Sequence, residues 1–145
     1  MIVRPVRPED RGEWGRLYAG YAAFYGVEQT EAMRDAAWGW LMDPGHSTEG
    51  LVADGEGRLL GLAHLRPYAR PLAASTGGFL DDLFVDPGAR GRGVGEALIA
   101  ALAEEGRRRG WTRLRWITAP DNHAARRLYD RVAAETPWVT YDVNL

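Results

Sequence analysis

Apolar positions recur along this chain in two rhythms, a period of two in short runs and steps of three and four in longer ones, and together they predict the order of elements. Ile2 to Val6 reads as a short first strand. Pro8-Glu9-Asp10 opens a helix with acidic residues where the helix dipole favours them. Trp14, Leu17, Tyr18, Tyr21 and Tyr25, widened by Phe24, line one face of that helix, and Gly26 ends it. Thr30-Glu31 begins a second helix carrying Met33, Ala37, Trp40 and Leu41, and a loop follows at Asp43 to Ser47. Glu49 to Ala53 and Leu59 to Leu65 are strands joined by a hairpin turn over Asp54-Gly55-Glu56-Gly57. Arg66 to Gly78, with two prolines and two glycines, reads as a mobile connection. Phe79 to Val85 is a central strand, with Phe79, Leu83 and Val85 on one face and Leu80 and Phe84 on the other. Val94, Leu98, Ala101 and Leu102 share a helix face that ends in Arg107-Arg108-Arg109-Gly110, cations and then a glycine, the expected stop signal. Trp111 to Thr118 is a strand, and Asn122 caps a helix whose apolar face is Ala125, Leu128, Tyr129 and Val132. A last strand runs from Trp138 to Val143.

Strands and helices alternate without repeat or linker, so a mixed α/β (α+β) single domain over residues 1–145 is expected. Composition narrows the function mainly by exclusion. A net charge of −2 and a pI near 5.9 give no general attraction to nucleic acid or anionic membrane. The chain has no cysteine, which removes disulfides, thiolate chemistry and zinc sites of the cysteine type. No apolar run is long enough to span a bilayer and Met1-Ile2-Val3-Arg4-Pro5 is no signal peptide core, so a cytoplasmic protein is expected. His46, His64 and His123 lack metal-ligand spacing, and no metal is expected. His64 is a candidate base by residue type, although a satisfied or exposed strand histidine is the commoner case.

The stretch Phe79 to Leu102 carries the chemistry. Strand, glycine-rich turn and helix follow in immediate succession, and the turn reads Arg90-Gly91-Arg92-Gly93-Val94-Gly95. Glycines admit a ligand close to the backbone, and the first helical turn leaves amide N–H groups unpaired, so the element suits an anion such as a phosphate or pyrophosphate. A Walker loop needs a lysine, and the chain has none. A Rossmann turn needs a third glycine where Glu96 or Leu98 stands. What remains is Arg90-x-x-Gly93-x-Gly95, preceded by Leu83-x-Val85.

This turn resembles the acyl-CoA-binding motif of the Gcn5-related N-acetyltransferases (GNAT). A second segment, Asn122-x-x-Ala125-x-x-Leu128-Tyr129, lies one strand later and matches that family at every position. The resemblance covers Phe79 to about Ala133. Trp116 to Tyr141 is most similar to small fungal and bacterial acetyltransferases acting on histones or polyamines, while the usual Gly-Phe after the tyrosine helix is replaced by Val132 to Thr136. The resemblance implies an acyl-CoA N-acyltransferase fold: a mostly antiparallel sheet flanked by about four helices, splayed between the Phe79 and Trp111 strands around acetyl-CoA. It implies that Arg90, Gly91, Arg92, Gly93, Val94, Gly95 and Glu96 hold the pyrophosphate, that Leu83, Phe84 and Val85 offer backbone to the pantetheine, and that Asn122, Ala125 and Tyr129 complete the cofactor site. It further implies the Leu83 N–H as oxyanion donor, the Tyr129 hydroxyl as donor to the leaving sulfur, and Asp81 as the base.

A base is needed because an alkyl amine with a pKa near 10.4 gives up about 4.6 kcal/mol to free its lone pair at pH 7. Asp81 and Asp82, carboxylates within an apolar strand, are candidates on residue type as well. Tyr21, Tyr25, Asp81 and Trp116 are candidate walls of the acceptor site, Tyr and Trp being suited to an amine's aliphatic stem or cation, although aromatic helix faces are more often core. The expected reaction is acetyl transfer to a primary amine on a small molecule or peptide, in a ternary complex; a non-catalytic acyl-CoA-binding module stays open. The aromatic load of the last strand points to a homodimer.

Overall fold

A computed structural model describes all residues, 1–145. Five strands form one sheet in the order β1-β2-β3-β4-β5: β1 (Ile2–Pro5), β2 (Glu49–Gly55), β3 (Arg58–Arg70), β4 (Ser75–Val85) and β5 (Leu114–Arg115). Neighbours are antiparallel except β4 and β5, which are parallel. The helices are α1 (Arg11–Phe24), α2 (Glu31–Met42), α3 (Val94–Arg109) and α4 (His123–Val132). Sheet and helices bury two cores. Trp14, Leu17, Val52, Leu59, Leu62 and Phe84 join α1 to one sheet face, and Ala53, Ala63, Leu65, Leu80, Val94, Leu98, Ile99 and Leu102 join α3 to the other. No helix is long and apolar enough to cross a membrane.

Three sequence expectations change. The stretch expected to be a mobile connection, Arg66 to Gly78, is instead the far end of a long β3–β4 hairpin paired through Arg70 and Ser75. Its two glycines serve close packing rather than mobility: a Cβ on Gly78 would lie 2.2 Å from the Trp111 ring, and one on Gly77 would lie 2.9 Å from the Arg113 carbonyl oxygen. The β4 faces also differ from simple alternation. Leu65 pairs with Leu80 and His64 pairs with Asp82, so Asp81 is an extra residue, a β-bulge. Below and above it the phase shifts by one, which brings Leu80 into the same core as Leu83 and Val85 and leaves Phe84 in the α1 core.

The third change lies at the sheet edge. Strand β5 has only two residues, paired as Gly78 with Leu114 and Phe79 with Arg115. From Leu80 onward β4 has no neighbour on that side, because the bulge bends and twists the strand away from its partner. The tail expected to form a last strand is not one: residues 133–145 have no regular structure. Trp138, Val139, Tyr141 and Val143 are all about three-quarters exposed or more. A strand needs a paired neighbour, and the two-residue β5 offers almost no edge to it.

Candidate active site

The glycine turn is fixed from below by Asp86. Its carboxylate accepts the Gly88 N–H at 3.1 Å and pairs with Arg16 of α1 at 2.9 Å. Burial would raise this carboxyl's pKa, but the Gly88 and Arg16 contacts outweigh it and hold it below the usual range. Beyond the turn the backbone enters α3 through Gly93 in the left-handed region, φ +78°, with Gly91 likewise at φ +76°. No side chain caps α3, and the first helical bond recorded at its start is Ala97 N–H to the Gly93 carbonyl at 3.0 Å. The preceding amides therefore have no partner in the helix. A Cβ on Gly93 would meet nothing within 4 Å, so the space over these amides is open. Arg90 and Arg92 enter no ion pair, and Arg90 lies over the rings of Phe84 (5.8 Å) and Phe24 (5.9 Å). Donors, helix dipole, open space and two unpaired cations together fit a pyrophosphate. Gly95 serves packing instead: a Cβ there would lie 3.1 Å from Leu128, so α3 begins tight against α4. Val94 is buried beneath the turn, and Glu96 points outward to pair with Arg131 of α4 at 3.1 Å.

Next to the turn lies the open edge of β4. The Asp86 N–H reaches β3 through the Leu60 carbonyl at 2.8 Å. Successive amides of a strand point to opposite sides, so the N–H groups of Val85 and Leu83 face the wedge, as extended-ligand pairing requires. Phe84 offers the wedge nothing, contrary to the expectation for its backbone: by the same alternation its N–H and carbonyl face Leu62 of β3, and its side chain is buried against α1. Across the wedge stands Tyr129 of α4, edge-on to Trp116 at 5.3 Å. Its hydroxyl makes no hydrogen bond within the chain. Burial first, and the nearby Tyr25 second, push its pKa up to about 12, so it is a protonated donor at neutral pH. Ala125 is half-buried on the same helix. Asn122 stands at the start of α4, but its side chain donates to Thr118 Oγ1 (3.3 Å) instead of capping the helix as expected.

The α1 face of the sheet carries the remaining groups. Asp81, on the bulge, is paired with Arg66 at 3.0 Å near the surface. Asp82 is turned inward, where its Oδ2 accepts from the Tyr18 hydroxyl at 3.0 Å and lies 2.8 Å from His64 Nδ1. Burial would raise the Asp82 pKa, but the contacts from His64, Tyr18 and Tyr21 outweigh it and lower it. Burial, and then the Asp82 charge, raise both Tyr18 and Tyr21 well above the ordinary phenol value. Tyr18, Tyr21 and Tyr25 follow one another along α1 with ring centroids 5.9 and 4.9 Å apart. His64 is a satisfied strand histidine, the commoner of its two sequence readings. Trp14, Tyr18 and Asp82 escape sequence reading as a group; the one signal was an acid opposite a histidine, and the bulge that aligns them leaves no mark in residue type.

An uncapped glycine turn entering a helix, a parallel pair that parts after two residues and a tyrosine with an unpaired hydroxyl have the chemistry that an acyl-CoA requires. The family model of the acetyltransferase (GNAT) family matches residues 14–133, and the chain belongs to that family of acetyl-CoA-dependent N-acetyltransferases. It is similar to the D-amino-acid N-acetyltransferase HPA3 of Saccharomyces cerevisiae, 28% identical over 99% of this chain and 91% of that protein. It is also similar to an aminoglycoside N(6')-acetyltransferase type 1 of Klebsiella aerogenes, 31% identical over 86% of this chain and 82% of that protein. Among solved structures, a ribosomal-protein-alanine N-acetyltransferase from Brucella melitensis biovar Abortus 2308 superposes with a TM-score of 0.83 at 26% identity, each chain covered in full.

Proposed function

We propose that this enzyme transfers acetyl from acetyl-CoA directly to a primary amine bound beside the wedge. The observation that carries this reading is the meeting of three features: uncapped α3 amides, the open β4 edge and a carboxylate among tyrosines on the α1 side. The turn from Arg90 to Gly95 holds the pyrophosphate, and the amides of Leu83 and Val85 hold the pantetheine and then the carbonyl oxygen as negative charge grows on it. The Tyr129 hydroxyl donates to the departing sulfur. The proton-accepting role passes from Asp81, the position expected from the family, to Asp82. Arg66 already neutralises Asp81 near the surface, whereas Asp82 lies inward, ionised, beside Tyr21. Its charge attracts the ammonium form, which passes one proton to solvent to free its lone pair; as that lone pair forms the C–N bond and the C–S bond breaks, Asp82 accepts the second N–H proton, directly or through water. Tyr18, Tyr21 and Tyr25 wall the amine's stem, and Trp116 bounds the far side.

D-amino acids and aminoglycosides, named for two of the relatives, both present amines of this kind, and a small molecule or a peptide amine fits the same chemistry. A homodimer joined through the exposed tail, Trp138 to Val143, gives that apolar load a cover, and the cytoplasm suits a cysteine-free chain. The test is acetyl-CoA with an amine panel, followed by thiol release and acceptor mass. Asp82→Asn should lose turnover while Asp81→Asn keeps most of it; the reverse order would return the base to Asp81.

A further inference from the structure

The buried side chains behind Asp82 form a chain of directed hydrogen bonds. The indole Nε1–H of Trp14 donates to His64 Nε2 at 2.9 Å. An indole nitrogen only donates, so Nε2 is the unprotonated nitrogen and the ring proton sits on Nδ1. Nδ1–H therefore donates to Asp82 Oδ2 at 2.8 Å, and the Tyr18 hydroxyl donates to the same oxygen at 3.0 Å. Both donors converge on Oδ2, no hydrogen bond of ordinary length reaches Oδ1, and the Tyr21 hydroxyl is the remaining donor beside the carboxylate. Trp14 and His64 are 1% and 4% exposed, and Trp14 is wedged between Trp38 (4.9 Å) and Tyr18 (5.2 Å) with Arg11 over its ring at 5.3 Å. The relay has no freedom to turn. The bulge selects its end point: with Leu65 opposite Leu80, regular pairing would set His64 against Asp81, and the extra residue sets it against Asp82. The other titratable group beside this carboxylate is Tyr21 from α1, and the neighbouring Asp81 of β4 is held by Arg66 of β3.

We infer that Trp14 and His64 are positioning residues for the transfer, a relay that fixes the tautomer of His64 and turns Asp82 so that Oδ1 faces the amine. The inference rests on Asp82 as the proton acceptor proposed above. A network that merely satisfies buried polar atoms would need the hydrogen bonds but not their direction, and substitutions at His64 separate the two. His64→Asn puts an amide nitrogen in the place of Nδ1 and keeps the donor to Asp82; His64→Leu has similar bulk and no donor. For His64→Leu, kcat should fall about tenfold to a hundredfold with CoA affinity unchanged, and His64→Asn should recover to within about threefold of the parent. Equal kcat for the Leu and Asn variants, both folded, overturns the relay. A second readout needs no variant: the ¹⁵N spectrum of the parent should show His64 protonated at Nδ1, and protonation at Nε2 overturns the relay. Asp82→Asn is measured alongside. Full activity in that variant refutes the role of Asp82 itself, whereas loss of activity there with an undiminished His64→Leu refutes the relay alone.

Discussion

Replacing Gly93 by alanine isolates the glycine turn from everything else in the fold. The backbone at Gly93 has φ +78°, a left-handed conformation that costs a residue with a Cβ about 1–2 kcal/mol. For a chain of this size that corresponds to a fall in Tm of about 2 to 8 °C. No protein atom lies within 4 Å of the added Cβ, so there is no clash to add to the strain. The methyl group instead enters the space over the uncapped α3 amides. Displacing the phosphate from one charge-assisted hydrogen bond loses about 1.5–3 kcal/mol, which is about tenfold to a hundredfold in Kd. Gly57→Ala is the control. Gly57 turns the β2–β3 hairpin at φ +93° with nothing within 4 Å of its Cβ, so it carries comparable strain away from the site. Calorimetric titration with CoA and thermal melts of both variants make the assay. Both variants should melt lower, and only Gly93→Ala should bind CoA more weakly. A Gly93→Ala protein with parental CoA affinity would refute the assignment of the turn.

Tyr129→Phe removes a hydroxyl with no partner in the chain, so stability should change by under about 1 kcal/mol while kcat falls about tenfold to a thousandfold; an unchanged kcat in a chemistry-limited assay returns Tyr129 to packing. Asp10 is held below the usual carboxylate range chiefly by its two hydrogen bonds with Arg4, at 2.8 and 2.9 Å. Its folded pKa is depressed, so its stabilisation is complete above about pH 4 and is lost as pH falls through the folded value. Melts of Asp10→Asn should therefore lie below the parent at pH 7 and converge with it in strong acid, and a constant difference across that range contradicts the linkage. Light scattering should give a dimer mass in the micromolar range, with Trp138→Ser and Tyr141→Ser shifting it toward monomer; a concentration-independent monomer rules the tail interface out.

How far the sequence carried the fold depends on the kind of signal. The helical stripe from Trp14 to Tyr25 and the turn from Arg90 to Gly95 are local patterns, and both stand where the periodicity put them. The hairpin past Arg66 was hidden because Gly77 and Gly78 carry a loop signal in sequence, and only the approach of the Arg113 carbonyl to the first and of Trp111 to the second shows them as packing residues. Within the site, Asn122 stands at the start of α4 and Tyr129 within it, as the sequence pattern predicts. The choice between Asp81 and Asp82 was not legible. A bulge is a feature of pairing between β3 and β4, and one extra residue there reverses which side chains share a face. The tail failed for a related reason: Trp138 to Val143 has the composition of a strand, but pairing requires an edge that the two-residue β5 does not provide.

The most direct test of the central claim mixes the purified protein with acetyl-CoA and a panel of primary amines, following free CoA thiol and the mass of each amine together. Thiol release matched one for one by an acceptor heavier by a single acetyl group, lost in Gly93→Ala at limiting acetyl-CoA and in Asp82→Asn at saturation, is the predicted result. Tight CoA binding with no thiol released over hydrolysis for any amine would contradict it and leave the fold as a binding module.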